Sequence, residues 1–133
     1  MAPGSASAPI SVLLIDEDPA VGRAVRQALA APRFSTAVAS RALDGLRLAA
    51  RQKPQLVIME LSFSQGKGLE LAKRLMIAPE TRTCALILHS AEASSAARLE
   101  ALQAGAAGFI GKPCEGRRFV QRVEDIVALL YGQ

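Results

Sequence analysis

The chain has 133 residues, half of them hydrophobic, and a formal net charge of +4, so it can bury the core of one domain without disulfide or metal staples. Every apolar run is much shorter than the ~20 residues that a helix needs to cross a bilayer, so the sequence does not predict a membrane-spanning protein. With one Tyr, four Phe and no Trp it has little to stack on bases, so we do not expect nucleic-acid binding.

Residues 1–9 have neither the basic start nor the apolar centre of a secretory signal, which favours a cytoplasmic location. We expect a flexible N-terminal tail over residues 1–9 and one domain over residues 10–131. Cys84 and Cys114 stand far apart without neighbouring ligand residues, so the sequence predicts free thiols rather than a disulfide or a cysteine metal site.

The first half of the chain predicts two strand and helix units. Ser11–Ile15 reads as a strand, after which Asp18 can cap a helix that has Pro19 as its first residue. The apolar spacing predicts that this helix ends near Pro32. Residues 34–39 form a weaker predicted strand, and a second helix begins at residue 40 or 41 and stops at Pro54. The positions expected to face inward on this second helix are Leu43, Leu46 and Ala50.

The central stretch, residues 55–61, is an apolar run that includes one carboxylate, Glu60. A run of this kind is typical of a strand buried on both faces of a parallel sheet. Ligands bind beyond the carboxyl ends of such strands, so Glu60 is a candidate functional residue.

The second half continues the alternation of helices and strands. The sequence predicts a helix from about residue 67 to 78, a strand over 84–89, a helix from about 93 to Gly105, a strand over 108–111 and a last helix over 118–130, with Leu130 on its inward face. Alternation of this kind predicts an α/β fold with a parallel sheet covered by helices on both faces.

The ends of the predicted strands carry a distinct set of side chains: Asp16 and Glu17, then Glu60, Ser90 and Lys112. Clustered carboxylates suit a hard divalent ion such as Mg²⁺, whereas a hydroxyl and an ammonium group suit phosphoryl oxygens. The sequence therefore predicts a rim able to hold a metal ion and a phosphoryl group.

These residues give the chain its resemblance to the receiver domains of two-component response regulators. The resemblance covers about residues 10–131 and is carried by Val12–Pro19, by residues 54–68, by His89–Ala91 and by Ala104–Pro113. It implies a flavodoxin-like (βα)5 doubly wound sheet with the strand order 2-1-3-4-5. It also implies a signalling module rather than an enzyme.

The resemblance assigns roles residue by residue. Asp16 and Glu17 match the acidic pair that holds Mg²⁺, with Glu60 and the backbone carbonyl of Ser62 completing the metal site. Ser90 and Lys112 match the groups that contact a bound phosphoryl group. Phe109 matches the aromatic switch residue, and a cis peptide is expected before Pro113.

The chain departs from the family pattern at Glu60, where the family has an Asp that accepts a phosphoryl group. The extra methylene moves the carboxylate by about 1.5 Å, a displacement large enough to disturb positioned chemistry. A second departure is Lys67, a cation where an acid is common. Together they favour an atypical or pseudo-receiver in which Glu60 imitates the phosphorylated state and any Mg²⁺ binding is weak or lost.

Two alternatives remain open from the sequence. A conventional regulator would still be phosphorylated by a histidine kinase, and Asp16-x-Asp18 also resembles the motif of haloacid-dehalogenase-type phosphatases, with Asp16 as nucleophile. The expected partners are a sensor histidine kinase or a downstream signalling protein. The resemblance implies that a homodimer would use the face made by the fourth helix, the fifth strand and the last helix.

Overall fold

The computed structural model describes residues 8–62, 67–91 and 94–132, so most of the predicted N-terminal tail lies outside the described residues. Strands and helices alternate along the chain as predicted. Their bounds are β1 (Ile10–Ile15), α1 (Pro19–Ala28), β2 (Phe34–Ala39), α2 (Ala42–Gln52), β3 (Leu56–Met59), α3 (Gly68–Ile77), β4 (Ala85–Ser90), α4 (Ser95–Gln103), β5 (Gly108–Gly111) and α5 (Gly116–Tyr131).

The strands form one parallel sheet in the order β2-β1-β3-β4-β5. The predicted strand order and flavodoxin-like architecture are therefore confirmed. Leu14 of β1 lies beside Ile58 of β3, which in turn lies beside Ile87 of β4, so the most apolar strands occupy the centre. All three side chains are fully buried.

Side chains that alternate along each strand build two separate cores, one on each face of the sheet. On one face Leu13 and Ile15 pack with residues of α2, α3 and α4, including Leu75. On the other face Val12 and Leu14 pack with residues of α1 and α5. Both faces are covered, which explains why the strands are apolar throughout rather than alternating with polar residues.

Capping fixes where the helices that flank the site begin. Asp18 caps α1 by accepting a hydrogen bond from the Ala20 N–H at 2.9 Å, with Pro19 as the first residue, as predicted. The last helix starts at Gly116, two residues before the predicted start. The Glu115 side chain caps it there by accepting hydrogen bonds from the Arg117 and Arg118 backbone N–H groups. The sequence reading did not identify this cap.

Several predicted inward positions and bounds are wrong. Leu43 and Leu130 are 56% and 46% exposed. On α2 the buried positions are Gly45 and Ala49 instead, because the helix approaches the sheet closely there. A Cβ on Gly45 would lie only 2.7 Å from Ile15 Cδ1. The first helix ends at Ala28 rather than near Pro32, and β3 is shorter than predicted and ends at Met59, before Glu60.

Cys84 is buried and Cys114 is half-buried, and both are free thiols, which agrees with the prediction. Burial raises the pKa of the Cys84 thiol. No helix in the described ranges has the length and apolar character that a membrane span needs.

Candidate functional site

The sheet gathers the predicted site residues at its carboxyl edge. Asp16 follows β1, Glu60 follows β3, Ser90 ends β4 and Lys112 follows β5. Backbone hydrogen bonds fix their relative positions: the Glu60 N–H donates to the Ile15 carbonyl at 3.2 Å and the Lys112 N–H donates to the Ser90 carbonyl at 2.8 Å. The site is therefore placed by the strand register rather than by flexible loops.

The Lys112 ammonium lies at the centre of the site. Its Nζ donates to Glu60 Oε1 at 2.6 Å and to Asp16 Oδ2 at 2.9 Å. The side chains of Lys112, Glu60 and Asp16 are only 19%, 12% and 4% exposed. Such short contacts away from bulk water are the stronger kind of charge-assisted hydrogen bond.

The remaining carboxylate oxygens also have donors. Asp16 Oδ1 accepts the Asp18 N–H at 2.9 Å, and Glu60 Oε2 accepts the Ser62 N–H at 3.0 Å. The Ser90 hydroxyl is hydrogen-bonded to Glu60, and Ser90 is almost fully buried. Glu60 thus contacts both residues that were predicted to contact a phosphoryl group.

These contacts decide the charge state of the site. Burial disfavours ionised Glu60, but the hydrogen bonds from Lys112, Ser90 and the Ser62 backbone outweigh burial and lower its pKa. Burial likewise opposes a charged Lys112, and the bonds to Glu60 and Asp16 outweigh it and raise its pKa. Both groups are charged at neutral pH, and the stability contributed by Glu60 is present above pH 4.5 and lost on further acidification.

His89 lies under the site as a buried neutral ring. It is 6% exposed, and its ring centroid is 5.0 Å from that of Phe119. Burial and the nearby Lys112 charge lower its pKa from 6.5 to about 4, although Asp16 and Glu60 act in the opposite direction. The Nδ1 atom is buried without a hydrogen-bond partner. His89 therefore acts as a packing residue beneath the site.

The predicted magnesium ligands do not assemble as a group of three acids. In residues 8–62, 67–91 and 94–132, no three His, Cys, Asp or Glu side chains are grouped so that they could hold a metal ion. Glu17 is exposed, whereas Asp16 and Glu60 both bind Lys112. This arrangement does not fit a divalent ion without rearrangement, and the Mg²⁺ site stays a prediction.

Phe109, the predicted switch residue, is buried at 8% exposure and packs in the core on the side of α3 and α4. Arg98 of α4 places its guanidinium 5.2 Å from the ring centroid. Arg122 of α5 donates from Nη2 to the Phe109 carbonyl at 2.9 Å. Two arginines from different helices therefore contact one residue of β5, which the sequence reading did not foresee because only the fold brings α4 and α5 to this strand.

The chain beyond Glu60 returns very close to its own backbone. A Cβ on Gly68 would lie 2.1 Å from the Leu61 carbonyl oxygen and 2.6 Å from that of Glu60, so only glycine fits here. Lys67 is exposed and precedes α3 without a side-chain cap. Residues 63–66, which precede Lys67, lie outside the described residues. The Lys112–Pro113 peptide is cis, as predicted.

A family model described as the response regulator receiver domain matches residues 12–124. The chain belongs to this family. The transcriptional regulatory protein KdpE of Mycobacterium tuberculosis is 31% identical over 116 residues, which are 87% of this chain and 50% of KdpE. The alginate biosynthesis transcriptional regulatory protein AlgB of Pseudomonas syringae pv. tomato is 33% identical over 104 residues, 77% of this chain and 22% of AlgB. The receiver domain therefore spans half or less of the length of these relatives.

Solved structures agree with the receiver fold. The chemotaxis response regulator CheY4 of Vibrio cholerae superimposes with a TM-score of 0.82 at 17% identity, covering 90% of this chain and 99% of CheY4. A response regulator from Desulfuromonas acetoxidans gives a TM-score of 0.80 at 26% identity, covering 91% and 98%. The chain thus shares its fold with nearly the whole length of both of these chains.

Proposed function

We propose that this chain is an atypical receiver of two-component signalling in which Glu60 takes the place of the phosphorylated acceptor. The observation that carries the proposal is the 2.6 Å contact between Lys112 Nζ and Glu60 Oε1, together with the hydrogen bond between Ser90 and Glu60. One carboxylate engages both groups that the family resemblance assigns to a phosphoryl group.

The imitation is partial for a chemical reason. A carboxylate brings one charge and two oxygens, whereas an acyl phosphate brings about two charges and three oxygens. In this chain the Lys112 ammonium also donates to Asp16, so Glu60 shares it with a second carboxylate. We expect Glu60 to bias the domain towards one state rather than to lock it there.

The burial of Phe109 supports the same proposal. Its ring packs into the core beneath the Arg98 guanidinium. On the neighbouring strand β4, Leu88 pairs with Phe109, and Ser90, two residues further on, contacts Glu60. The resemblance assigns Ser90 to contact with a phosphoryl group and Phe109 to the switch, and in this chain the hydroxyl is engaged by Glu60 and the ring is buried. The module would then signal by protein contacts and without catalysis of its own.

A conventional receiver, phosphorylated by a sensor histidine kinase, is the competing function. The grouping of Asp16, Ser90 and Lys112 at the sheet edge supports it, whereas Glu60 and Lys67 depart from the family pattern. A phosphatase that uses Asp16 as nucleophile has less support, because Asp16 Oδ2 binds Lys112 and the second acid of its motif, Asp18, caps α1.

The test is phosphorylation by acetyl phosphate with Mg²⁺, read by intact-protein mass spectrometry. We expect no mass gain of one phosphoryl group for the natural chain, and a hydroxylamine-labile gain for Glu60→Asp. Glu124→Asp, remote on α5, is the matched control and should stay unmodified. Labelling of Glu60 itself would overturn the proposal, and steady release of phosphate would favour the phosphatase.

The proposed partners are a sensor histidine kinase or a downstream signalling protein, because the chain belongs to the response regulator receiver family. The proposed contact face is made by α4, β5 and α5, and it would also serve a homodimer. Leu99 and Leu102 of α4 are 55% and 65% exposed there, one helical turn apart. Sedimentation of the natural chain against Leu102→Lys tests the homodimer: a dimer that the substitution does not weaken would exclude this face.

A further inference from the structure

We propose that this chain has a binding site for a small organic phosphate in a cleft separate from the Glu60 site. The cleft has a volume of about 350 Å³ and lies between α4, β5 and the first turns of α5. Three arginines line it: Arg98 from α4, and Arg118 and Arg122 from α5. We call it the arginine cleft.

Ion pairs among the described residues do not balance the charges of the cleft. Among the ion pairs of the described residues, none involves Arg98, Arg118 or Arg122. Glu115 also lines the cleft, but its carboxylate accepts the backbone N–H groups at the start of α5. Like charges brought to one concave surface repel each other, and a bound anion would relieve this repulsion.

Two of the arginines are held in position by Phe109. The Arg98 guanidinium is 5.2 Å from the ring centroid, and Arg122 Nη2 donates to the Phe109 carbonyl at 2.9 Å. Arg118 precedes Arg122 by one helical turn, so the two side chains share a face of α5. Groups fixed before binding lose less conformational entropy when a ligand arrives, which favours a specific site over a mobile basic surface.

The donor set fits a phosphate group better than a single carboxylate. A guanidinium presents a planar fork of N–H donors, and a phosphate has enough oxygens and charge for more than one fork. The other walls include Ile110, Pro113 and Cys114, which are suited to an organic body. The volume lies at the lower end of the ~300–1,000 Å³ range of small-molecule pockets, which limits the body to about one ring.

Occupation of the cleft would act on Phe109, because the same guanidiniums contact both the ligand and this residue. Phe109 lies three residues before Lys112 on one continuous segment of β5 and its following turn. The ligand would thus stabilise the buried position of the ring. Binding itself does not depend on phosphoryl chemistry at Glu60, so the two proposals can fail separately.

The experiment is a titration of the natural chain with phenyl phosphate, followed by calorimetry and by amide chemical shifts. We expect saturable binding, with the largest shifts in residues 108–122. Arg118→Gln should weaken binding by about tenfold or more, because it removes a charged hydrogen-bonding group. Arg118→Lys should weaken it less, since the charge stays while the fork is lost.

Arg23→Gln is the matched control, since Arg23 is an exposed arginine on α1, away from the cleft. It should leave binding unchanged, and thermal melting should show that all three variants stay folded. Absence of saturation, equal loss in Arg23→Gln, or equal affinity for sulfate would overturn the proposal. Binding of duplex DNA at this cleft without binding of phenyl phosphate would also overturn it.

Discussion

The buried His89 ring should make the stability of the domain depend on pH in a defined window. The unfolded chain binds a proton near the ordinary His pKa of 6.5, whereas the folded chain binds it only near pH 4, because of burial and the Lys112 charge. Between these values the unfolded state carries the extra proton. Stability is therefore complete above pH 6.5 and decreases as the pH falls towards 4.

The magnitude follows from the size of the shift. Each pKa unit corresponds to about 1.4 kcal/mol, so a pKa lowered from 6.5 to about 4 represents about 3 kcal/mol at full effect. About 2 kcal/mol of this should already be lost at pH 5. That loss is a substantial part of the 5–15 kcal/mol that is typical of small domains, so it should be measurable.

The assay is urea unfolding of the natural chain and of His89→Leu at several pH values between 5 and 7.5. Leucine removes the titrating group and keeps an apolar contact with Phe119. It also removes the unpartnered Nδ1, so His89→Leu should be at least as stable as the natural chain near pH 7. The difference between the two proteins isolates His89 from other acid-titrating groups. Equal pH dependence in both proteins would refute the reasoning.

Two further predictions concern the site and its supporting backbone. Glu60→Gln should lower the unfolding free energy by about 1.5–3 kcal/mol in urea, because it removes one charge from a pair with Lys112 that is largely buried. The same change at Glu124, whose pair with Arg33 is about a third exposed, should lower the unfolding free energy by at most about 1 kcal/mol. Equal losses in the two variants would contradict the assignment of the Lys112–Glu60 pair as the stronger one. Gly68→Ala should cost about 1–3 kcal/mol, because its methyl group meets backbone oxygens, whereas Gly116→Ala, with its nearest neighbour at 3.9 Å, should be neutral or stabilising. A neutral Gly68→Ala in the same unfolding measurement would show that the backbone adapts.

The order of the elements was predictable from the sequence, because buried parallel strands need unbroken apolar residues and the covering helices need an apolar stripe. The position of the site followed from the same pattern. Asp16, Glu60, Ser90 and Lys112 each end or follow a strand, and parallel strands bring those ends to one edge. The Asp18 cap was also readable, since capping depends on residues close in the chain.

Side-chain exposure at the ends of helices was not predictable. Leu43 and Leu130 satisfy the helical spacing but are exposed, and the buried positions on α2 are Gly45 and Ala49, where the helix lies close to Ile15 of the sheet. Periodicity groups residues on one face of a helix, but it does not say which residues of that face meet the neighbouring layer.

The sequence by itself determined that one carboxylate, Glu60, follows the apolar third strand, since that is a matter of residue type and strand pattern. Only the tertiary structure decided what this carboxylate contacts. Lys112 is shared between Glu60 and Asp16, and the arginine cleft forms around Phe109, because the sheet and its crossovers join residues far apart in the chain. Such contacts depend on distance in space, which local sequence patterns do not encode.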